Sequence, residues 1–192
     1  SHVVSELVVT RFRGLRGLSL EGVGRVNLLV GENNSGKTSV LEALSLAAAP
    51  LDPWEWMSVA ARREPHRFAV RTTVERLRWL FPQRASEGPM SSYDGRIELS
   101  LRGRIAWQGV EARYQDLRGA VEPLQQSLDG ILPGAADEPT DDEADLPVER
   151  RGARIDVRVT SGSSRETAGA ETFTWWDGER FQSRRQAPTG PP

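Results

Sequence analysis

The chain of 192 residues has no cysteine, two histidines and a single lysine. The lack of cysteine excludes disulfide bonds and thiolate metal sites. No apolar run approaches the roughly 18 residues that a membrane-spanning helix needs, so we expect a soluble, cytoplasmic protein. The net charge of −2 argues against a surface that is basic throughout, as a general nucleic-acid-binding surface would be.

The single lysine lies in the one motif of the chain that specifies a chemistry. Residues 31–38 read GENNSGKT and fit the phosphate-loop pattern G-x-x-x-x-G-K-[ST]. The other 24 basic residues are all arginine. Lysine therefore occurs only where a compact ammonium group has to enter a ring of phosphate oxygens. The alternative is a glycine-rich turn that holds a lysine by accident.

The residues around the motif fit this interpretation. An apolar segment at 26–30 precedes it, and a helical pattern follows it to Leu46. Backbone N–H groups and the new helix N-terminus would then face an anion. Lys37 is expected to reach the β- and γ-phosphates and is catalytic in that sense, and Thr38 is expected to coordinate Mg²⁺. The predicted nucleotide-binding residues are Gly31, Glu32, Asn33, Asn34, Ser35, Gly36, Lys37, Thr38 and Ser39.

Periodicity predicts an α/β fold of the P-loop NTPase class, with a mixed sheet, a phosphate-loop helix and an added antiparallel β-meander. The predicted elements before residue 95 are strands at 3–10, 15–20 and 25–30, and helices from Lys37 to before Pro50, over 53–63 and over 70–80. Alternating strands begin at Gly95, one or two short helices are expected within 117–132, strands resume at Ile155, and a hairpin at 171–182 turns at Asp177-Gly178.

Composition divides the chain into four regions. Residues 133–149 contain seven acidic residues, three prolines and no basic residue, which is typical of a solvated loop. We expect an ATP-binding lobe over 1–132, an acidic disordered loop over 133–149, a β-hairpin region over 150–185 and a disordered tail over 186–192.

The segments VVTRFRGL and VNLLVGENNSGKTSVLEAL resemble the start of ABC-type ATPase heads of the RecF, SMC and OLD (overcoming-lysogenisation-defect) group, within the AAA family ATPases. The resemblance implies ATP and Mg²⁺ as cofactors, and a homodimer or a second chain that completes each ATP site. It also implies action on DNA, in repair or antiviral defence. By the same resemblance Arg13 contacts the nucleotide phosphates, and Gln83, Gln108 or Gln115 senses Mg²⁺.

Several motifs of a complete head are missing from the sequence. Asp137-Glu138 has the letters of the catalytic Asp-Glu pair, but the residues before it cannot form the required buried apolar strand. No signature motif precedes the pair, and no histidine follows His66. The chain is therefore expected to be the N-terminal part of a longer ATPase, inactive or weak by itself. The alternative is a nucleotide-gated module that docks a partner protein without hydrolysis.

Other nucleotide-binding classes fit less well. A GTPase would need Asn-Lys-x-Asp, and the only lysine is already in the phosphate loop. A small-molecule kinase would not usually begin with a β-hairpin or carry a meander. Arginine clusters at 62–71 and 150–154 are candidate DNA contacts, although such clusters are more often solvated faces.

Overall fold

The computed structural model describes residues 4–63, 72–83, 94–121, 148–162, 166–177 and 182–186. The strands are β1 (Val4–Phe12), β2 (Leu15–Glu21), β3 (Asp94–Gly103), β4 (Gly109–Val121), β5 (Val148–Ser161), β6 (Glu166–Trp176) and β7 (Gln182–Gln186). The helices are α1 (Lys37–Ala48), α2 (Pro53–Ala61) and α3 (Thr73–Arg78). Most of the predicted acidic loop and tail lie outside the described residues.

The strands form one seven-stranded sheet in the order β2-β1-β3-β4-β5-β6-β7. Every neighbouring pair is antiparallel. The predicted N-terminal hairpin and meander are thus confirmed, and the predicted mixed sheet is wrong for the described part of the chain. The sheet runs through both regions that flank the acidic segment, because β4 pairs with β5 from Gly109↔Thr160 to Val121↔Val148.

Side-chain alternation places the core on one face of this sheet. In β3, Ile97, Leu99 and Leu101 are buried, whereas the residues between them point to the opposite face. The three helices contribute apolar residues to the same core, among them Leu46, Trp56 and Leu77. The other face of the sheet carries charged and polar side chains, as one-sided antiparallel sheets commonly do.

Local capping explains where two of the helices begin. The Asp52 side chain accepts a hydrogen bond from the Trp54 backbone N–H at 2.9 Å, with Pro53 at the first helical position. Thr72 and Glu75 form a reciprocal capping box at the start of α3. The helices predicted over 53–63 and 70–80 are therefore confirmed in type, with shorter bounds.

The segment at 25–30 is not a strand, contrary to the prediction. Val26, Leu28 and Val30 are 92%, 85% and 82% exposed, while Leu29 packs against the core. A strand needs a hydrogen-bonded neighbour, and within the described residues the chain that returns from the helices as β3 pairs with β1 instead. The side chains of Val26, Leu28 and Val30 therefore form an apolar row that is exposed to solvent.

The helix predicted within 117–132 is also wrong over its first residues, because β4 continues to Val121. Thirteen consecutive pairs with β5 hold this part of the chain extended. The remainder of that prediction lies outside the described residues.

Tyr114 in β4 should make stability sensitive to alkaline pH. Burial and the hydrogen bond from its hydroxyl to Asp116 Oδ1 (2.8 Å) raise its pKa above the ordinary value of 10.0. Its stabilising contribution is present below pH 10 and is lost as pH rises beyond it, because the folded state retains the proton that the unfolded chain releases. Urea unfolding at pH 8 and pH 11 should show a larger loss for the native chain than for Tyr114→Phe, and equal losses would contradict this account.

Candidate nucleotide-binding site

The phosphate loop connects the exposed segment at 25–30 to the start of α1. Within it the Ser35 backbone N–H donates to the Glu32 carbonyl at 3.3 Å. Asn34 adopts a left-handed conformation with φ of 66°, which asparagine tolerates better than most residues. The loop therefore turns tightly and leads directly into Lys37, the first residue of the helix.

Gly36 is the N-cap of α1 and has a φ of 91°. A Cβ at this position would lie 2.9 Å from Leu15 Cδ2 at the start of β2. The backbone conformation therefore favours glycine, because L side chains rarely adopt this φ. The Leu15 methyl group is the end of a flexible side chain, so this contact restricts position 36 less than φ does.

The Lys37 ammonium group lies inside the loop. Its Nζ donates to the carbonyl oxygens of Gly31 and Glu32, both at 2.6 Å, and to Ser35 Oγ at 3.3 Å. The first four backbone N–H groups of a helix have no intrahelical acceptor, and the helix dipole favours an anion there. The structure therefore brings the lysine and the start of α1 together, as the motif predicts.

Solvent can reach most of the predicted site. Residues 31–35 and Thr38 are exposed, Gly36 and Lys37 are half-buried, and Ser39 is buried. Thr38 is thus an exposed residue, and a hydroxyl oxygen is a suitable ligand for Mg²⁺. The assignments of these residues to nucleotide and metal stay predictions. Among the described residues no group of three or more His, Asp or Glu side chains could hold a metal by itself.

Glu42 of α1 is the centre of a charge cluster that we call the Glu42 cluster, formed by Arg13, Glu42 and Arg63. Its carboxylate is 1% exposed. Arg13 Nε lies 2.7 Å from Glu42 Oε2, and Arg63 Nε donates to Glu42 Oε1 at 3.0 Å. Arg63 Nη2 also donates to Ser39 Oγ at 2.8 Å. The cluster fixes α1 to the hairpin turn and to the end of α2.

The sequence did not predict the ion pair between Glu42 and Arg63. A signal was available for Glu42, because it lies three residues after Ser39 and four before Leu46, on the inward face of α1. Nothing local points to Arg63, which is 21 residues away in the chain.

Arg13 has other partners than the predicted phosphates. Its guanidinium donates to the carbonyl oxygens of Val59 (3.1 Å) and Trp79 (3.4 Å) in addition to its contact with Glu42. Its backbone N–H donates to Leu80 O at 2.9 Å. Burial lowers the pKa of Arg13, and the Glu42 carboxylate counteracts this. The phosphate contact of Arg13 stays a prediction, and this structure gives its side chain a role in holding the helices together.

The other candidate residues lie away from the loop or outside the described residues. The Gln83 side chain donates to the carbonyls of Arg78 and Phe81. Gln108 and Gln115 are exposed on the meander. Asp137 and Glu138 fall outside the described residues, so the structure does not test whether they take part in hydrolysis.

A glycine-bounded loop, a lysine inside it and a following helix N-terminus define the class of P-loop nucleotide-binding proteins. Residues 26–159 match the family model described as "AAA domain, putative AbiEii toxin, Type IV TA system". The match covers more than half of the chain, so the chain belongs to this AAA-domain family. This match does not distinguish the OLD and SMC groups named in the resemblance from other members of the family.

Two curated relatives share a short segment with the chain. An uncharacterised protein of Methanocaldococcus jannaschii is 43% identical over 44 residues, which are 23% of this chain and 20% of that protein. The DNA replication and repair protein RecF of Pseudoalteromonas translucida is 51% identical over 41 residues, 21% of this chain and 11% of RecF. The chain thus matches at most a fifth of the length of either relative. No solved structure matches the chain.

None of the helices in the described ranges combines the length and the hydropathy that crossing a bilayer requires.

Proposed function

We propose that this chain is the ATP-binding portion of a RecF- or OLD-like ABC-type ATPase, and that residues outside the chain complete hydrolysis. The observation that carries the proposal is the Lys37 ammonium group, held at 2.6 Å from two loop carbonyls at the start of α1. A nucleotide's β- and γ-phosphate oxygens are stronger acceptors than carbonyls, and they would replace these partners. Mg²⁺ would be held by Thr38 together with the phosphates.

Two features support completion from outside the chain. The sequence contains no signature motif and no apolar strand that ends in Asp-Glu. Val26, Leu28 and Val30 leave an apolar row exposed directly before the loop. A second head of the same kind, or another chain, would supply the missing groups and form a dimer.

The test is to measure MgATP binding and ATP turnover on one preparation of the chain. Calorimetry should show saturable binding that is weakened when EDTA removes Mg²⁺, and steady-state hydrolysis should stay near background. Robust turnover by the chain alone would overturn the need for outside residues. A folded chain, checked by circular dichroism, that fails to bind millimolar MgATP would overturn the proposal as a whole.

The second candidate is a nucleotide-gated module that docks a partner protein and does not hydrolyse ATP. The exposed apolar row at 26–30 favours it, because the row leads directly into the loop whose occupancy would gate it. Light scattering together with the turnover assay separates the two candidates. With a second chain that carries the signature and Asp-Glu motifs, an ATPase head should form a nucleotide-dependent complex that hydrolyses ATP, whereas a gated module should bind nucleotide without turnover.

A role in DNA repair or antiviral defence is part of the proposal through the resemblance to the RecF and OLD group. The short match to a protein named for DNA replication and repair supports the RecF side.

A further inference from the structure

The Glu42 cluster contains one more positive charge than its carboxylate needs. Glu42 carries a single negative charge, and Arg13 contacts it at 2.7 Å. Arg63 adds a second guanidinium, whose Nη2 lies 3.0 Å from Glu42 Oε2. A buried carboxylate needs a compensating cation, and Arg13 supplies one. The charge of Arg63 is therefore in excess within the cluster.

The two arginines differ in how firmly they are held. The Arg13 side chain is 9% exposed, and two backbone carbonyls bind it in addition to Glu42. The Arg63 side chain is 41% exposed, and its partners are the side chains of Glu42 and Ser39. Among the described residues no backbone group binds the Arg63 side chain, so it can leave Glu42 more easily than Arg13 can, and Glu42 would keep its partner Arg13.

Arg63 also contacts the first turn of α1, which follows the phosphate loop. Its Nη2 is 2.8 Å from Ser39 Oγ. Ser39 is the third residue of α1 and follows Thr38, so it belongs to the helix turn whose free N–H groups attract an anion. The Arg63 side chain is 41% exposed and contacts that turn, and a guanidinium is a geometrically suited partner of a polyphosphate.

We propose that Arg63 is a phosphate-binding residue of this site. In the nucleotide-free chain it is held by Glu42 and Ser39, and a bound nucleoside triphosphate draws it onto the phosphate chain while Arg13 continues to neutralise Glu42. The inference rests on the proposed nucleotide binding and adds a second cation to Lys37. Arg62, the preceding residue, is directed instead to Glu55 and Ser45, which makes it the matched control.

The experiment compares MgATP affinity of the native chain with Arg63→Ala, Arg63→Lys and Arg62→Ala by calorimetry. Arg63→Ala should weaken binding about tenfold, or about 1.4 kcal/mol, Arg63→Lys should recover part of this, and Arg62→Ala should stay within twofold. The loss in Arg63→Ala should shrink in 0.5 M NaCl, because salt screens a solvent-accessible charge contact. A positioning effect through α1 would persist at high salt.

The outcomes separate this inference from the proposed function. If the native chain binds MgATP and Arg63→Ala binds equally well, the role of Arg63 is refuted and nucleotide binding stands. A loss of affinity that is independent of salt, with no recovery in Arg63→Lys, also refutes phosphate contact. If the native chain binds no MgATP, the proposed function fails and the role of Arg63 fails with it.

Discussion

Replacing Lys37 with alanine is expected to weaken MgATP binding by at least about 100-fold, which corresponds to about 2.7 kcal/mol. The variant removes the only ammonium group that the loop surrounds, and with it the charge-assisted hydrogen bonds that a nucleotide's phosphates would accept. Calorimetric titration of the native chain and Lys37→Ala with MgATP measures the difference. An affinity within threefold of the native value would show that the loop does not bind phosphate through this residue.

Two controls distinguish lost binding from lost structure. Lys37→Arg keeps the charge, yet the wider planar guanidinium should not fit among the three loop oxygens, so its affinity should also fall. Both variants should unfold within a few degrees of the native chain. The loop contacts of Lys37 are exposed, and water can therefore replace the ammonium group as a partner of the carbonyls. A variant that unfolds at room temperature would contradict this.

Replacing Arg13 with alanine is expected to lower the free energy of unfolding by about 2 kcal/mol, less than the loss of the sole partner of a buried charge, because Arg63 still contacts Glu42. Glu42 is 1% exposed and would depend on Arg63 alone, while the carbonyls of Val59 and Trp79 would lose a donor. Urea denaturation followed by circular dichroism measures the change.

The companion variants of Arg13 test whether a buried charge is the cause. The double change Arg13→Met with Glu42→Leu should recover much of the loss, because it removes the two most buried charges and refills the space with apolar atoms, while the 41% exposed Arg63 side chain can be solvated. If Arg13→Ala changes stability by less than about 1 kcal/mol and the double variant is worse, the ion pair is not what holds α1 in place. A selective loss of affinity for ATP over ADP in Arg13→Ala would support its predicted phosphate contact.

The parts of this fold that could be predicted from sequence are those that nearby residues determine. Alternation at Ile97, Leu99 and Leu101 gives both the strand and its buried face. Asp52 with Pro53 marks the start of α2, and residues 31–38 define the phosphate loop with its lysine. In each case the residues that carry the signal are within a few positions of one another.

The parts that could not be predicted depend on distant partners. Val26, Leu28 and Val30 alternate as a strand does, but a strand forms only where a neighbour lies alongside, and β3 pairs with β1. Arginine is a suitable phosphate ligand, but the partners of Arg13 here are Glu42, 29 positions later, and the carbonyls of Val59 in α2 and Trp79 just after α3. Tertiary contacts of this kind leave no local pattern.

The exposed row formed by Val26, Leu28 and Val30 affects the solubility of this chain. An apolar segment of strand-like sequence that is exposed to solvent is one onto which a second copy can add. Aggregation through this row increases with concentration, so newly synthesised chains would aggregate most readily before a partner covers the row. Early contact of residues 25–30 with the second head or chain proposed above would therefore protect solubility as well as complete a site. Production together with that partner should yield more soluble protein than production alone.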